Sequence, residues 1–372
     1  MGVIIFYIVF TVVYGLMHAL VFVQAAPFVP QGPARLLTAL FFLAMAVSPV
    51  ATGLMGLRSG PVALAVYAWM GLTFYLFMGS LVLLPVRFLA GAGVYKVLFM
   101  VMAGVSLAAC AWGLVHARDV AVKRVVVSSP RLEPGSPPVR LAVLSDMHLW
   151  SVEQGGRLDR VLPLLEVLEY DVLVSLGDLV EAGFHHEDWA GTAARLAAVE
   201  APLGKYAVTG NHEHYADMTA RTEVAEAFHQ AAGFRMLDNE VLDVGRSLRL
   251  AGLDYAGPDA DAVAAQLRDM AVGDGRAVAV LRHEPEVDPP LNGLFDIQLS
   301  GHSHAGQIWP FTIFVRWRFP YLRGRYALPG GGSIYVSEGT GTWGPPMRVC
   351  TQAEITLVEL VPAQGTAGGG DQ

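Results

Sequence analysis

The 372-residue chain has a formal charge of −8 and is 53% apolar by residue type, yet neither average describes any one part of it. Residues 1–118 contain five basic side chains (Arg35, Arg58, Arg87, Lys96, Arg118) and no Asp or Glu, whereas the rest carries twenty basic and thirty-three acidic residues. The acidic half has no basic stripe of the kind that binds phosphate backbones, which argues against nucleic acid as a partner, and the two cysteines, Cys110 and Cys350, lack the spacing of a thiolate metal site or a disulfide framework.

Four apolar runs, at 3–23, 36–57, 62–86 and 95–115, reach the roughly 20 helical residues that cross a bilayer. Pro27, Pro30 and Pro33, then Arg58 to Pro61, then Arg87 with Gly91 and Gly93 break the chain between them. The expectation is a multi-pass transmembrane helical domain over 1–118, embedded in a cell inner membrane. The first run is too long, and its start too poor in basic residues, for a cleavable leader. Arg58, Arg118, Lys123 and Arg124 on one side, against Arg35, Arg87 and Lys96 on the other, place the acidic half in the cytoplasm. His18 lies inside the first span, where the expected state is a neutral ring bonded to a neighbouring helix.

Residues 119–139 turn Val-rich and then Pro-rich, ending in "SSPRLEPGSPP", which reads as a strand followed by an extended linker. From 140 to 362, short apolar runs alternate with helical patterns: "VRLAVLSD", "LDRVLPLLEVLEY", "DVLVSLGD". Strands joined by helices in a layered α/β domain produce this succession. Residues 363–372, with "GTAGGG", read as a disordered tail.

Apolar runs in the acidic half end on metal-ligand residue types. "LAVLSDMHL" ends on Asp146 and His148, two apart, which share one side of a sheet if the strand continues through them. "VLVSLGDL" supplies Asp178 after Gly177, "KYAVTGNHE" supplies Asn211 and His212 after Gly210, and "FDIQLSGHSH" supplies His302 and His304 after Gly301. A Gly ahead of the ligand permits a sharp turn and close backbone approach. Carboxylates, imidazoles and an amide oxygen without thiolate suit two divalent ions, manganese foremost, with iron or zinc also suited. A carboxylate such as Asp178 can bridge two cations; a pair about 3.5–4 Å apart polarises phosphoryl oxygens and makes hydroxide available from water at neutral pH. Singly, each motif is weak, since a lone Asp-x-His or Gly-Asp is a turn or surface residue about half the time.

In this order, "DMH", "GD", "GNHE", an isolated His and "GHSH" resemble the calcineurin-like metallophosphoesterases, and in particular their bacterial membrane-anchored branch. The similarity runs through "LGKYAVTGNHEHY", "MLDNEV", "LAGLDY", "LSGHSHAGQ" and "YVSEGTGTWGPPMRV". It implies a catalytic domain of two β-sheets flanked by helices, a four-layer sandwich. It implies one ion held by Asp146, His148, Asp178 and His304, and a second held by Asp178, Asn211, His283 and His302. His283 takes the isolated position because it ends an apolar run and precedes Pro285. His212 is implied as the group that protonates the leaving oxygen, a task suited to a histidine of near-neutral pKa. Glu213 and Ser303 depart from the family's usual Asp and Thr.

The implied substrate is a phosphomonoester, a phosphodiester or a lipid-linked pyrophosphate; one member of the family cleaves the pyrophosphate of UDP-diacylglucosamine. The alternative is a transporter or sensor that uses the phosphoesterase half as a regulatory module, disfavoured because the spans lack acidic residues. Among other candidates, Trp150 and Trp343 are expected to pack, His229 to be exposed, and His185 and His186 to sit in a solvated loop. His214 and Tyr215 are balanced between substrate contact and packing, and Arg348 between a phosphate and a structural acid.

Overall fold

The computed structural model describes residues 2–57, 60–152, 156–181, 189–217, 222–270 and 274–363. Two compact units divide the chain: Met1–Ala117 with Ser151–Gln154 and Trp343–Val349, and the remainder. His185 and His186 lie outside the described residues.

The first unit is built on α1 (Gly2–Ala25), α2 (Pro33–Leu54), α3 (Gly60–Leu89) and α4 (Ala92–His116). All four are long and apolar enough to cross a membrane. Several of their polar groups are satisfied within the bundle, as an apolar solvent favours. Pro49 inside α2 has no N–H for the Met45 carbonyl, and the Ser48 hydroxyl donates to that carbonyl instead, at 2.8 Å. His18 Nδ1 donates to Tyr14 O at 2.9 Å and its Nε2 accepts from Trp69 Nε1 at 2.9 Å, which fixes a neutral ring bonded to α3. Toward the other end of α1, Tyr95 Oη donates to the Gln24 carbonyl at 2.7 Å and Arg87 reaches Val23 O. The loop Trp343–Val349 belongs to this unit: Met347 occupies the space beside Gly71 and Gly113, and the Arg348 N–H donates to Gly113 O at 3.0 Å. Arg348 is fully buried, and Trp343 is about half exposed.

The second unit holds two six-stranded mixed sheets. In chain order, the elements of its first half are β1 (Val120–Ser129), β2 (Val139–Leu144), α5 (Gly156–Glu166), β3 (Val172–Ser175), α6 (Trp189–Ala197), β4 (Lys205–Ala207), α7 (Asn211–Asp217), α8 (Thr222–Ala231) and β5 (Phe234–Met236). There follow β6 (Glu240–Val244), β7 (Leu248–Gly252), α9 (Ala260–Asp269), β8 (Ala277–Leu281), β9 (Ile297–Ser300), α10 (Phe311–Arg318), β10 (Gly324–Ala327), β11 (Ser333–Val336) and β12 (Ala353–Pro362). One sheet runs β1-β12-β2-β3-β4-β5, the other β10-β11-β9-β8-β7-β6. Strand β1, at the head of the segment read as a linker, is the edge of the first sheet and pairs in parallel with β12 along its whole length, Val120 against Ala353 to Ser129 against Pro362.

Period-two alternation sorts the strand residues into layers. Leu141 and Val143 of β2, Val172 and Val174 of β3, Leu248 and Leu250 of β7, and Ile297 and Leu299 of β9 meet in the core between the sheets. Ala142, Leu144 and Leu173 face outward, onto Leu158, Val161 and Leu165 of α5, Leu196 of α6 and Phe228 of α8. On the far side, Val278 and Val280 pack on Val263 and Leu267 of α9. Helices therefore flank the paired sheets. The start of α9 is fixed by Asp259, whose carboxylate accepts the Ala262 N–H at 2.9 Å.

Candidate metal centre

Strands β2, β3, β4, β8 and β9 are mutually parallel within their sheets, and the segments that leave their C-terminal ends meet. Ligand sites of α/β sheets form at such ends. All eight sequence-derived residues fall there: Asp146 and His148 after β2, Asp178 after β3, Asn211 and His212 at the start of α7, His283 after β8, and His302 and His304 after β9.

Strand β2 stops at Leu144, so Asp146 and His148 do not share a side by strand alternation, contrary to the simple sequence expectation. They sit instead in a turn with positive φ, 53° and 45°. Asp178 (52°), His302 (67°) and His304 (45°) share this left-handed backbone, which costs L-residues about 1–3 kcal/mol each and gathers where a site dictates the conformation. Gly177, at φ 95°, is packed so closely that a Cβ would lie 2.6 Å from Gly210 N, and at Gly301 a Cβ would strike Ser145 and Asp146. Parallel pairing resumes just beyond the turn, with His148 N donating to Asp178 O at 2.9 Å and a bridge from Leu149 to Val180.

The side chains converge in two overlapping groups. In one, His148 Nε2 and His304 Nε2 lie 3.1 Å apart, and Asp146 Oδ1 is 3.5 Å from His304 Nε2. In the other, His283 Nε2, His302 Nδ1 and Asn211 Oδ1 are mutually within 2.9–3.2 Å, and Asp178 Oδ2 is 3.3 Å from His283 Nε2. Asp178 Oδ2 is also 3.8 Å from His148 Nε2, which places it between the groups. The outer nitrogens are engaged elsewhere. His283 Nδ1 donates to Leu176 O at 2.8 Å, His148 Nδ1 faces Glu181 at 3.1 Å, and His302 Nε2 faces Glu284 at 3.7 Å. The partners of His283 and His148 turn the Nδ1–H outward, so that in the neutral rings the inward Nε2 atoms are lone pairs crowded against the other donors. Cations relieve such crowding, and an all-N/O donor set suits divalent metals. The residues fit a binuclear divalent centre.

His212 is oriented differently. Its backbone N–H donates to Asp178 Oδ1 at 2.8 Å, while its Nδ1 lies 2.7 Å from Glu181 Oε1. Burial disfavours its charged form, but the Glu181 carboxylate outweighs burial and holds the ring up at about 10. His302 goes the other way: burial, reinforced by the neighbouring His283 ring, pushes it down to about 4. Burial likewise opposes ionisation of Asp178, but the imidazoles of His283 and His212 hold it well below the usual carboxylate range.

Three supporting residues escaped the sequence reading. Glu181 sets its carboxylate against both His148 Nδ1, at 3.1 Å, and His212 Nδ1, at 2.7 Å. Arg157, buried at 2% exposure, donates to the carbonyls of Met147 and His148 and to Thr342. Glu213, noted only as a departure from a motif, accepts the N–H groups of Asp178, Leu179, Val180 and Gly210, tying two ligand-bearing turns together. Of these, only Glu213 lay within a recognisable motif. Elsewhere, His229 is fully buried, with Nδ1 bonded to Ala225 O at 2.8 Å, because α8 turns it toward Phe228 and Phe234. Trp150 packs edge-on to Phe228, and His214 lies 6.2 Å from the Tyr255 ring.

Residues 139–306 match the model of the calcineurin-like phosphoesterase family. The chain is 32% identical over 249 residues to an uncharacterized metallophosphoesterase of Aquifex aeolicus, covering 64% of this chain and 91% of that protein. It is 32% identical over 244 residues to an uncharacterized metallophosphoesterase of Campylobacter jejuni, covering 64% of this chain and 63% of the other. A Danio rerio protein described as a transmembrane protein with metallophosphoesterase domain is 32% identical over 270 residues, covering 68% of this chain and 60% of its own. With this fold and this strand-end cluster, the chain belongs to the calcineurin-like metallophosphoesterases, as a member with four membrane-spanning-length helices.

Proposed function

We propose that the chain is a membrane-bound hydrolase of phosphomonoesters, phosphodiesters or lipid-linked pyrophosphates that works with two divalent ions. Asp146, His148, Asp178 and His304 would hold one ion, and Asp178, Asn211, His283 and His302 the other. The observation that carries this reading is the pair of inward-facing donor groups that meet at Asp178. Bound there, the ions supply Lewis-acid polarisation of the phosphoryl group and hydroxide from water at neutral pH; manganese, iron and zinc all suit the donors.

The chain's own residues supply the rest. His212, paired with Glu181, donates a proton to the departing oxygen, whose negative charge grows as the P–O bond breaks. His283 is supported as a ligand by its Nδ1–H bond to Leu176 O, which leaves Nε2 free to point inward. Arg157 and Glu213 keep the ligand turns in their left-handed conformations. The charge count across the loops supports a cytoplasmic catalytic unit.

The test is hydrolysis of bis-p-nitrophenyl phosphate, p-nitrophenyl phosphate and a lipid pyrophosphate by the purified full chain with manganese. Turnover of at least one, abolished by chelation and restored by metal, is expected. Failure on all three would remove the hydrolase reading.

A further inference from the structure

Helix α10 is eight residues long, and none of its side chains is buried. A free helix of this length is not stable in water, where about 12–15 residues are marginal. Its side chains are the wrong ones for water: Phe311 is 46% exposed, Ile313 61%, Phe314 52% and Trp317 91%, with Trp309 just before them at 53%. Its polar side chains are Thr312, Arg316 and Arg318. The electrostatics of this stretch also depart from the rest of the unit. Residues 297–337 contain Arg316, Arg318, Arg323 and Arg325 and no Asp or Glu, within a half of the chain whose acids outnumber its bases by thirteen. Some of this charge is already paired, Arg318 with Glu286 at 2.9 Å and Arg323 with Glu338 at 3.3 Å. Exposed Trp and Phe beside Arg, on a segment that itself carries no acid, is the composition of an interfacial membrane helix.

This surface adjoins the metal centre. Phe319, at the end of α10, packs its ring 5.4 Å from that of His302. Ser303 donates to Leu322 O at 3.1 Å, and Gly306 lies so close beneath Thr312 that no side chain would fit there.

We propose that Trp309 and α10 dock on an anionic bilayer surface, holding the metal centre at the headgroup level so that it acts on phosphoesters borne by lipids. A bilayer is the occupant because the same chain carries four helices of membrane-spanning length, and because the patch is basic as well as aromatic. The substrate part of the inference rests on the hydrolase reading above; the docking part does not.

The test uses the full chain with Cys110→Ala and Cys350→Ser, labelled with an environment-sensitive fluorophore at Trp317→Cys or, separately, at Ile313→Cys. A control label sits at Val167→Cys, a site 78% exposed on α5's trailing loop. In vesicles of phosphatidylcholine and phosphatidylglycerol, labels at 317 and 313 should emit to the blue of the control and be quenched by doxyl-labelled lipid. Emission like the control at both sites refutes docking. A blue shift without lipid quenching assigns the face to a protein partner and refutes it as well. In the parent chain, Trp317→Asp should slow hydrolysis of a vesicle-borne p-nitrophenyl ester of phosphatidic acid by roughly ten-fold, the penalty of a carboxylate in the interface, and leave bis-p-nitrophenyl phosphate unaffected. Equal rates on the lipid ester for the parent and the variant would refute lipid presentation. Loss of both hydrolyses in the parent would sink the hydrolase reading while leaving the depth measurement intact.

Discussion

Replacing Glu181 with Gln separates a positioning carboxylate from a bystander. The two Glu181 oxygens receive one imidazole each, His148 Nδ1 at 3.1 Å and His212 Nδ1 at 2.7 Å. The substituted amide would present one oxygen and one NH2, so one of the two rings would face a donor with a donor. A hydrogen bond to a charged group contributes about 1.5–3 kcal/mol, so losing one should cost roughly ten- to a hundred-fold in turnover or metal affinity. Steady-state hydrolysis of bis-p-nitrophenyl phosphate, with metal content per chain measured by mass spectrometry, reads both. A double-mutant cycle with His212→Ala divides the effect. If Glu181 acts through His212, the Glu181→Gln penalty shrinks in the His212→Ala background; if it acts through His148, metal content falls and the penalty persists. Wild-type turnover and wild-type metal content in Glu181→Gln would refute the reasoning.

His212→Ala should retain its metal and lose roughly 10²–10⁴-fold in turnover, since it removes a proton donor and no proposed ligand. His283→Ala should lower metal content toward one ion per chain, measured on the same protein by mass spectrometry. Gly177→Ala should unfold earlier on heating and lose activity, because a Cβ there meets Gly210 N and, at 2.8 Å, His283 Nδ1. Lys123 Nζ lies 2.6 Å from both Glu338 and the fully buried Glu354; Lys123→Met leaves that carboxylate without its counter-charge and should cost about 3–5 kcal/mol, read as a lower denaturation midpoint.

What could be read from the sequence followed from how local each signal is. The four long helices were legible because an apolar run of spanning length needs no partner to be recognised, although α2 begins and ends about three residues before the run read at 36–57. The six motif residues and His283 were legible because each follows closely on an apolar strand, and strand order in a parallel sheet brings such ends together. The turn holding Asp146 and His148 was not, since a left-handed backbone at a non-glycine residue is imposed by its surroundings and leaves no local mark. Glu181 and Arg157 were invisible for the same reason. Their partners are distant in sequence, as Arg157 is from Thr342 and Glu181 from His148 and His212, and only the assembled fold brings them into reach. His229 shows the converse: it was expected to be exposed on its helix, but the ring is buried with Nδ1 bonded to Ala225 O.

The central claim is that two divalent ions share Asp178. Anomalous X-ray scattering from crystals of the manganese-loaded protein tests it directly. The account predicts two peaks about 3.5–4 Å apart on either side of the Asp178 carboxylate, one toward Asp146, His148 and His304 and one toward Asn211, His283 and His302. A single peak, or none within this cluster, would contradict it.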